Sequence, residues 1–201
     1  AREGGQVVLW GRGWEDAGAP PYWPWVQVLR SLVRGGNLED VREQLGAGAA
    51  DVAQMLPELR DLMPELELRP ASESDTARFQ LFDSTATFLR NAAAVRPMLA
   101  VIDDLQAADT PSILFLQFLA SQLNDMRLLV VGTYRDVALT PDHPLTTALV
   151  ELTRQPTTRL LTLSGLDLAS LSDFIGAETG VTPDARAVAA VWRETKGNPL
   201  F

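Results

Sequence analysis

Cysteine, histidine and lysine are nearly or wholly missing from this chain, and each shortage removes a class of function. The 201 residues include no cysteine, which excludes disulfides, thiolate catalysis and cysteine-based metal sites. The only histidine, His143, could supply one metal ligand at most, so a zinc centre is not expected. The only lysine is Lys196, because the other basic residues are all arginine. A phosphate site that depends on lysine therefore has a single candidate.

Long apolar runs and positive charge are also scarce. No stretch approaches the roughly 18 consecutive apolar residues of a membrane span, and the first residues do not have the pattern of a signal peptide. We therefore expect a cytoplasmic protein with no membrane contact. The 26 acidic residues outnumber the 17 basic ones, giving a formal charge of −9. Such a surface repels nucleic-acid phosphates, so no direct nucleic-acid contact is expected.

A phosphate-binding P-loop is missing as well. Its G-x-x-x-x-G-K-[ST] string wraps phosphates in backbone N–H groups, neutralises them with lysine and binds Mg²⁺ through the hydroxyl. No such string occurs in the sequence. Lys196 cannot replace it, because it precedes Gly197 and lacks both the glycine loop before it and a Ser or Thr after it.

The apolar patterns that are present predict an α/β protein. Residues 98–102 and 127–132 are short, continuous apolar runs, the pattern of parallel strands covered on both faces. A helix predicted from Thr110 to Leu123 joins them, which implies a parallel crossover. The other elements predicted for this part of the chain are a strand at 6–10, helices at 24–33, 37–45, 72–95 and 145–152, short helical pieces within 51–68, and a strand at 159–163.

The composition changes near Leu163, which predicts a domain boundary there. Residues 1–163 form the predicted α/β part, and residues 164–201 a small helical unit. Its two helices are separated at Gly180, with Thr182 and Pro183 in the N-cap and first-turn positions of the second.

Two adjacent acids, Asp103 and Asp104, end the predicted strand 98–102. In open α/β folds the carboxyl edge of a parallel sheet is where ligands bind. There Asp103 could hold a hydrated Mg²⁺, and Asp104 could orient or polarise an attacking water. The alternative is that the acids cap a turn, since aspartate accepts backbone hydrogen bonds there.

The next strand is followed by Arg135, which would lie near the same edge. Arginine suits the terminal phosphate of a nucleotide because its guanidinium is planar and permanently charged. The alternative for Arg135 is a surface ion pair with Asp136 or another neighbour.

A family resemblance over nearly the whole chain rests on four segments and their order. They are WGRGWEDAGAPPYWPWVQVLRSLV, MLAVIDDLQAAD, LLVVGTYRD and KGNPLF. The chain resembles the AAA-related ATPase domain of STAND regulators, of the type found in LuxR-family transcriptional regulators and cyclase-linked proteins of actinobacteria. The resemblance implies a P-loop-NTPase-like parallel sheet flanked by helices, followed by a small helical lid.

The resemblance also implies roles for particular residues. Asp103 and Asp104 correspond to the Walker B acids, with Asp103 toward the metal, and Arg135 to the sensor 1 arginine. Pro199, in the Gly-x-Pro motif at 197–199, is expected to contact the adenine base. The implied cofactors are ATP or ADP and Mg²⁺ in the full-length protein. Without the family, residues 197–199 indicate only a helix C-cap followed by a stop.

In the family the P-loop precedes the strand that matches residues 6–10, so the resemblance implies an incomplete nucleotide-binding core at 1–163 and the start of a lid at 164–201. The expected partners are the rest of the polypeptide, meaning the P-loop segment and C-terminal effector domains, and a second copy paired through an exposed sheet edge. Members of the family are ATPases, so the resemblance implies ATP hydrolysis by the complete domain. Phosphoryl transfer depends on the phosphate loop, so little or no ATP hydrolysis is expected from these residues alone.

Three functions remain open on this basis. The first is a nucleotide-dependent switch in signal transduction or transcription regulation, in which ATP or ADP bridges sheet and lid. The second is a non-catalytic interaction scaffold of the same fold that has lost nucleotide binding. The third is a metal-dependent hydrolase using Asp103, Asp104 and Asp109, which lacks further ligands at suitable spacing.

Overall fold

The structure is a computed structural model that describes residues 5–15, 18–66 and 74–200. It divides into two compact units, Ala1–Thr158 and Arg159–Phe201.

The first unit contains a three-stranded parallel sheet. The strands are β1 (Val7–Arg12), β2 (Met98–Asp103) and β3 (Leu128–Gly132), in the order β1-β2-β3. Both pairings are parallel, with Arg12 opposite Asp103 and Gly132 opposite Ile102. The predicted α/β class with a parallel sheet is therefore confirmed, and all three strands end at the same edge.

Helices pack against this sheet, and their ends follow local sequence signals. Pro24 lies in the first turn of the first helix, where its missing N–H breaks no helical hydrogen bond. Ser74 and Asp109 cap two later helices by accepting the backbone N–H groups of Ala77 and Ser112. The helices are α1 (Trp23–Gly35), α2 (Leu38–Leu45), α3 (Ala49–Met55), α4 (Leu59–Leu62), α5 (Asp75–Val95), α6 (Thr110–Ala120) and α7 (Pro144–Leu152).

One face of the sheet lies in the core. Because side chains alternate along a strand, Leu9, Ala100 and Leu128 point to this face, and all are buried. Three aromatic rings pack in the core between α1, α5 and α6. Phe115 makes edge contacts with Trp25 at 4.9 Å and with Phe82 at 5.2 Å between ring centroids. These contacts hold α1 and α6 against the same layer.

The opposite face of the sheet is apolar and partly open. Trp10, Val101 and Val131 lie in register across the three strands, so their side chains share this face. Val101 is buried in the middle, whereas Trp10 is 59% and Leu129 is 61% exposed. Within the first unit, the outer strands are therefore more open on this face than the middle strand.

Several local predictions need correction or fall outside the description. In the predicted helix 72–95, apolar residues recur at steps of three and four from Phe79 onward, which predicts one buried stripe, but Phe79 is exposed and its ring packs on that of Phe118. The sequence offers Ser72 and Ser74 as N-caps for this helix, and Ser74 is the cap observed. The other candidate, Ser72, lies outside the described residues, as do residues 67–68 of the segment predicted to be partly helical.

The second unit consists of α8 (Leu168–Thr179) and α9 (Ala185–Thr195). Gly180 ends α8 in the left-handed conformation, but the cap of α9 is Asp184 rather than Thr182, because its carboxylate accepts two backbone N–H groups. The strand predicted at 159–163 does not form, and this segment has no regular secondary structure. No helix among the described residues is both long enough and apolar enough to cross a membrane.

Candidate functional site

A cluster of charged side chains lies at the carboxyl edge of the sheet, where the three strands end. Asp103 is the last residue of β2, Asp104 follows it, and Arg12 is the last residue of β1. Thr133 and Arg135 follow β3. Because the strands are parallel and adjacent, these residues meet at one place, which we call the rim cluster.

Asp104 is the most constrained residue of the rim cluster. Its backbone is left-handed, with φ 55° and ψ 52°, which aspartate tolerates better than most residues. Its N–H donates to Thr133 Oγ1 at 3.1 Å, and its carbonyl accepts the N–H of Ala107 at 2.8 Å. The side chain is only 13% exposed. The turn therefore fixes the direction of this carboxylate.

Both oxygens of the Asp104 carboxylate have partners. Oδ2 accepts from Nε of Arg12 at 2.7 Å and lies 2.5 Å from Nη2 of the same guanidinium. Oδ1 accepts from Nε2 of Gln106 at 3.0 Å and lies 3.7 Å from Nη2 of Arg135. The hydrogen bonds from Gln106 and Arg12 hold the pKa of the Asp104 carboxyl below its usual value. The hydrogen bond to Asp104 in turn raises the pKa of the Arg12 guanidinium.

Asp103 is held more loosely. Its Oδ1 accepts the hydroxyl of Thr133 at 2.5 Å, while its Oδ2 lies 3.9 Å from Nε of Arg12, beyond hydrogen-bond distance. The side chain is 37% exposed. A partly exposed carboxylate of this kind fits a single contact to a hydrated Mg²⁺, which keeps most of its waters.

Arg12 belongs to the rim cluster as the last residue of β1, although the glycines on either side of it predict that the strand ends earlier, in a turn at residues 11–13. Gly13 places it there, because the Gly13 N–H donates to the carbonyl of Asp103 at 2.9 Å. A Cβ on Gly13 would lie 2.3 Å from the carbonyl oxygen of Asp104, so only glycine fits. The signal that could have revealed Arg12 is a basic residue at the end of one strand in register with an acid at the end of its neighbour.

Gln106 links the rim cluster to the chain beyond β3. Its Oε1 accepts the N–H of Arg135 at 3.1 Å, and its carbonyl lies 3.0 Å from Nε2 of His143. Because Nδ1 of His143 accepts the N–H of Leu145, the proton is on Nε2. Gln106 was not among the predicted site residues, and no sequence pattern distinguishes it from an ordinary loop residue.

The structure thus brings together Asp103, Asp104 and Arg135, as expected from parallel strands, and adds Arg12, Thr133 and Gln106. Pro199 lies in the second unit, where it is exposed and follows Lys196 and Gly197, both left-handed. Its expected contact with adenine stays a prediction, as do the roles of the three rim residues.

Asp109 does not join the rim acids in a metal site. Its Oδ1 accepts the N–H groups of Tyr22 and Ser112, and its Oδ2 accepts the hydroxyl of Ser112. These bonds make it the cap of α6. Within residues 5–15, 18–66 and 74–200, no three acids or histidines are grouped so that they could hold a metal ion. The hydrolase alternative therefore has no structural support.

A shallow cleft of about 460 Å³ lies beside the rim cluster in the first unit. Gln106 borders both, and Trp14, Trp23 and Ala138 line the remainder together with neighbouring loop residues. The ring of Trp23 is already covered on one side by the guanidinium of Arg30, at 5.7 Å. Trp23 thus packs against the core at the start of α1, whereas Trp14 is 55% exposed.

A parallel sheet with acids and arginines at its carboxyl edge defines the chain as an open α/β protein with a charged site at the edge where such folds bind ligands. A comparison with family models finds the same class, because the model for the AAA ATPase domain matches residues 1–131. The chain belongs to the AAA ATPase domain family. No curated protein and no solved structure matches it. The match spans β1, β2 and most of β3, and so includes Arg12, Asp103 and Asp104.

Proposed function

We propose that the chain is a nucleotide-dependent switch module of a STAND-type regulator, acting in signal transduction or transcription control as in LuxR-type regulators. Membership of the AAA ATPase domain family supports a nucleotide-dependent ATPase module. The observation that carries the proposal is the meeting of Asp103, Asp104 and Arg135 at one sheet edge, with Arg135 Nη2 3.7 Å from the Asp104 carboxylate.

In this proposal each rim residue has a distinct role. Asp103 holds the hydrated Mg²⁺ through its partly exposed carboxylate, and Asp104, the second Walker B acid, orients water. Arg135 contacts the terminal phosphate, and Pro199 of the lid contacts adenine. The residues present fit the metal and the terminal phosphate, whereas the 201 residues contain no phosphate-loop string for the remainder of the nucleotide. The bound metal would supply charge neutralisation on the phosphates.

The partners expected of such a switch belong to the same proposal. They are the rest of its own polypeptide, including a phosphate loop and effector domains, and a second copy of the chain. We also propose a cytoplasmic location. We further propose that the chain makes no direct contact with nucleic acid, because its formal charge of −9 repels phosphates.

The second candidate function is an interaction scaffold without nucleotide chemistry. Two observations favour it, namely the missing phosphate-loop string and the open apolar face around Trp10 and Leu129. Parallel sheets are normally covered on both faces, so this face suits a protein contact. The charged rim cluster argues against a scaffold, because a scaffold has no need for four charges at one edge.

Calorimetry on the complete gene product separates the two functions. We expect Mg·ATP and Mg·ADP to bind, and we expect Asp103→Asn to weaken binding when Mg²⁺ is present but not when it is chelated. Asp125→Asn is the matched control, since Asp125 is an exposed acid just before β3, away from the carboxyl edge. Binding of neither nucleotide would favour the scaffold.

A further inference from the structure

The Gly-x-Pro turn at residues 197–199 continues the last turn of helix α9. Lys196 ends the helix in the left-handed conformation, and its N–H donates to the carbonyl of Trp192 at 2.7 Å. The next two N–H groups along the chain donate to the hydroxyl and the carbonyl of Thr195, at 3.1 and 3.0 Å. The start of the turn is therefore bonded to the end of α9 through three consecutive N–H groups.

The loop that precedes α8 packs directly on this turn. The N–H of Leu166 donates to the carbonyl of Gly197 at 2.8 Å. A Cβ on Gly165 would lie 2.1 Å from the carbonyl oxygen of Lys196, and a Cβ on Gly197 would lie 2.1 Å from the carbonyl oxygen of Leu166. Only glycine fits at both positions, because the atoms in the way belong to the backbone. We call this contact the glycine clamp.

Trp192 holds the same loop from α9. Its indole Nε1–H donates to the carbonyl of Leu166 at 3.0 Å, so both backbone polar groups of Leu166 are bonded to other parts of the second unit. The ammonium of Lys196 lies 5.5 Å from the centre of the Trp192 ring, within the range of a cation–π contact. The indole is therefore held by its N–H and by one face of its ring.

Pro199 follows the glycine clamp on a restricted backbone. Gly197 is buried, whereas Pro199 is exposed. The side chain of Asn198 accepts the N–H of Leu200 at 3.0 Å, which forms a turn around the proline. The proline ring also fixes its own φ. An exposed apolar ring on a fixed backbone binds a flat partner with little loss of conformational entropy.

We propose that Gly165 and Trp192 are positioning residues for the adenine contact of Pro199. They fix the Gly-x-Pro turn through the glycine clamp, so that the proline ring is in position before the base binds. Because coupling between two equilibria is reciprocal, adenine binding also stabilises the glycine clamp. This inference rests on the role proposed for Pro199, and it gives the loop before α8 a part in sensing the base.

Calorimetry on the complete gene product tests the positioning role. Mg·ATP is compared with Mg·ribose 5′-triphosphate, which keeps the sugar and phosphates but lacks the base. Gly165→Ala places a methyl group in the glycine clamp, and Gly176→Ala is its matched control, since the nearest atom outside its helix backbone lies 3.9 Å from the added Cβ. Trp192→Phe removes the indole N–H, and Phe174→Leu is its control, because these two aromatic residues are 37% and 39% exposed.

We expect Gly165→Ala to weaken Mg·ATP binding at least about fivefold and Trp192→Phe about two- to threefold, because a partly open clamp positions Pro199 only in its closed fraction. Ribose 5′-triphosphate should bind both variants within about twofold of the wild type, since it makes no base contact. Both controls should bind ATP as the wild type does. Equal losses for the two ligands overturn the positioning role, because a general loss of structure weakens both, and so does undiminished ATP binding by Gly165→Ala.

Hydrogen–deuterium exchange at the Leu166 N–H tests the glycine clamp without nucleotide. This N–H should exchange more slowly than that of Leu163, which is 93% exposed, and faster in Gly165→Ala than in the wild type. ATP should slow the exchange further, and ribose 5′-triphosphate should not.

The two measurements separate the failure of the proposed function from that of the positioning role. If ribose 5′-triphosphate binds the wild type as tightly as ATP does, the adenine contact proposed for Pro199 fails, and the positioning role fails with it. If ATP binds more tightly but Leu166 exchanges as fast as Leu163, only the positioning role is overturned.

Discussion

Replacing Gly13 by alanine tests whether close contact between β1 and the loop after β2 builds the rim cluster. The added Cβ would lie 2.3 Å from the carbonyl oxygen of Asp104 and 2.9 Å from the carbonyl carbon of Ala107. Both neighbours are backbone atoms of a hydrogen-bonded turn, so they cannot rotate away. The strand end must move instead, and Arg12 must move with it.

The expected loss of stability has two parts. Forcing a methyl group into a filled space costs about 1–3 kcal/mol. The hydrogen bond from Gly13 N–H to the Asp103 carbonyl, now 2.9 Å long, weakens as the backbone separates, which costs about 1 kcal/mol. We therefore expect Gly13→Ala to lower the free energy of unfolding by about 2–4 kcal/mol.

Urea unfolding followed by tryptophan fluorescence measures this change. Four of the five tryptophans lie in the first unit, so a Trp192→Phe background limits the signal to that unit and avoids mixing two transitions. Gly35→Ala is the matched control. Gly35 is the last residue of α1, and nothing lies within 4 Å of the added Cβ. This variant should therefore have a free energy of unfolding about 0.5–1 kcal/mol higher than the wild type. If Gly13→Ala is as stable as the wild type, the close contact at the rim is not real.

Three further predictions concern the rim cluster and the open sheet face. The isolated 201-residue chain should show little or no Mg²⁺-dependent ATP hydrolysis in a phosphate-release assay, and clear turnover abolished by Asp104→Asn would contradict this. Because the pKa of Asp104 is lowered by folding, its stabilisation is complete above its unfolded pKa of about 4 and is lost as the pH falls through the folded value. The difference in unfolding free energy between wild type and Asp104→Asn should therefore shrink on acidification from pH 6 to pH 3, and a constant difference would refute the ion pair. Sedimentation at increasing concentration should show self-association that Leu129→Lys abolishes and Leu161→Lys, an exposed leucine of the second unit, does not.

The sheet was predictable because its signals are local. Residues 98–102 and 128–132 are uninterrupted apolar runs flanked by charge and glycine, and parallel pairing then determines that Asp103 and the residues after β3 share an edge. The capping residues Asn37 and Asp109 follow from side-chain chemistry in the same way, because each accepts a backbone N–H three residues later.

The arrangement around the rim acids was not predictable by the same means. Nothing local shows that β1 lies on one side of β2 and β3 on the other, and that order decides that Arg12 meets Asp104 and Thr133 meets Asp103. The strand predicted at 159–163 was wrong although its apolar pattern is local. The segment has the composition of a strand, but Leu161 and Leu163 are 81% and 93% exposed. An apolar sequence pattern indicates which residues favour burial, but a β-strand forms only where a neighbouring strand is available to pair with it.

The left-handed turn at Asp104 restricts which acid can occupy that position. Glutamate would carry the same charge, but holding a longer side chain at φ 55° costs roughly 1–2 kcal/mol, and its extra methylene would carry the carboxylate past the guanidinium of Arg12. Asparagine fits the same backbone and is therefore the substitution that removes the charge while leaving the turn intact. The backbone conformation of this one residue thus favours aspartate over glutamate, and it makes Asp104→Asn the substitution that removes the charge with the least change to the turn.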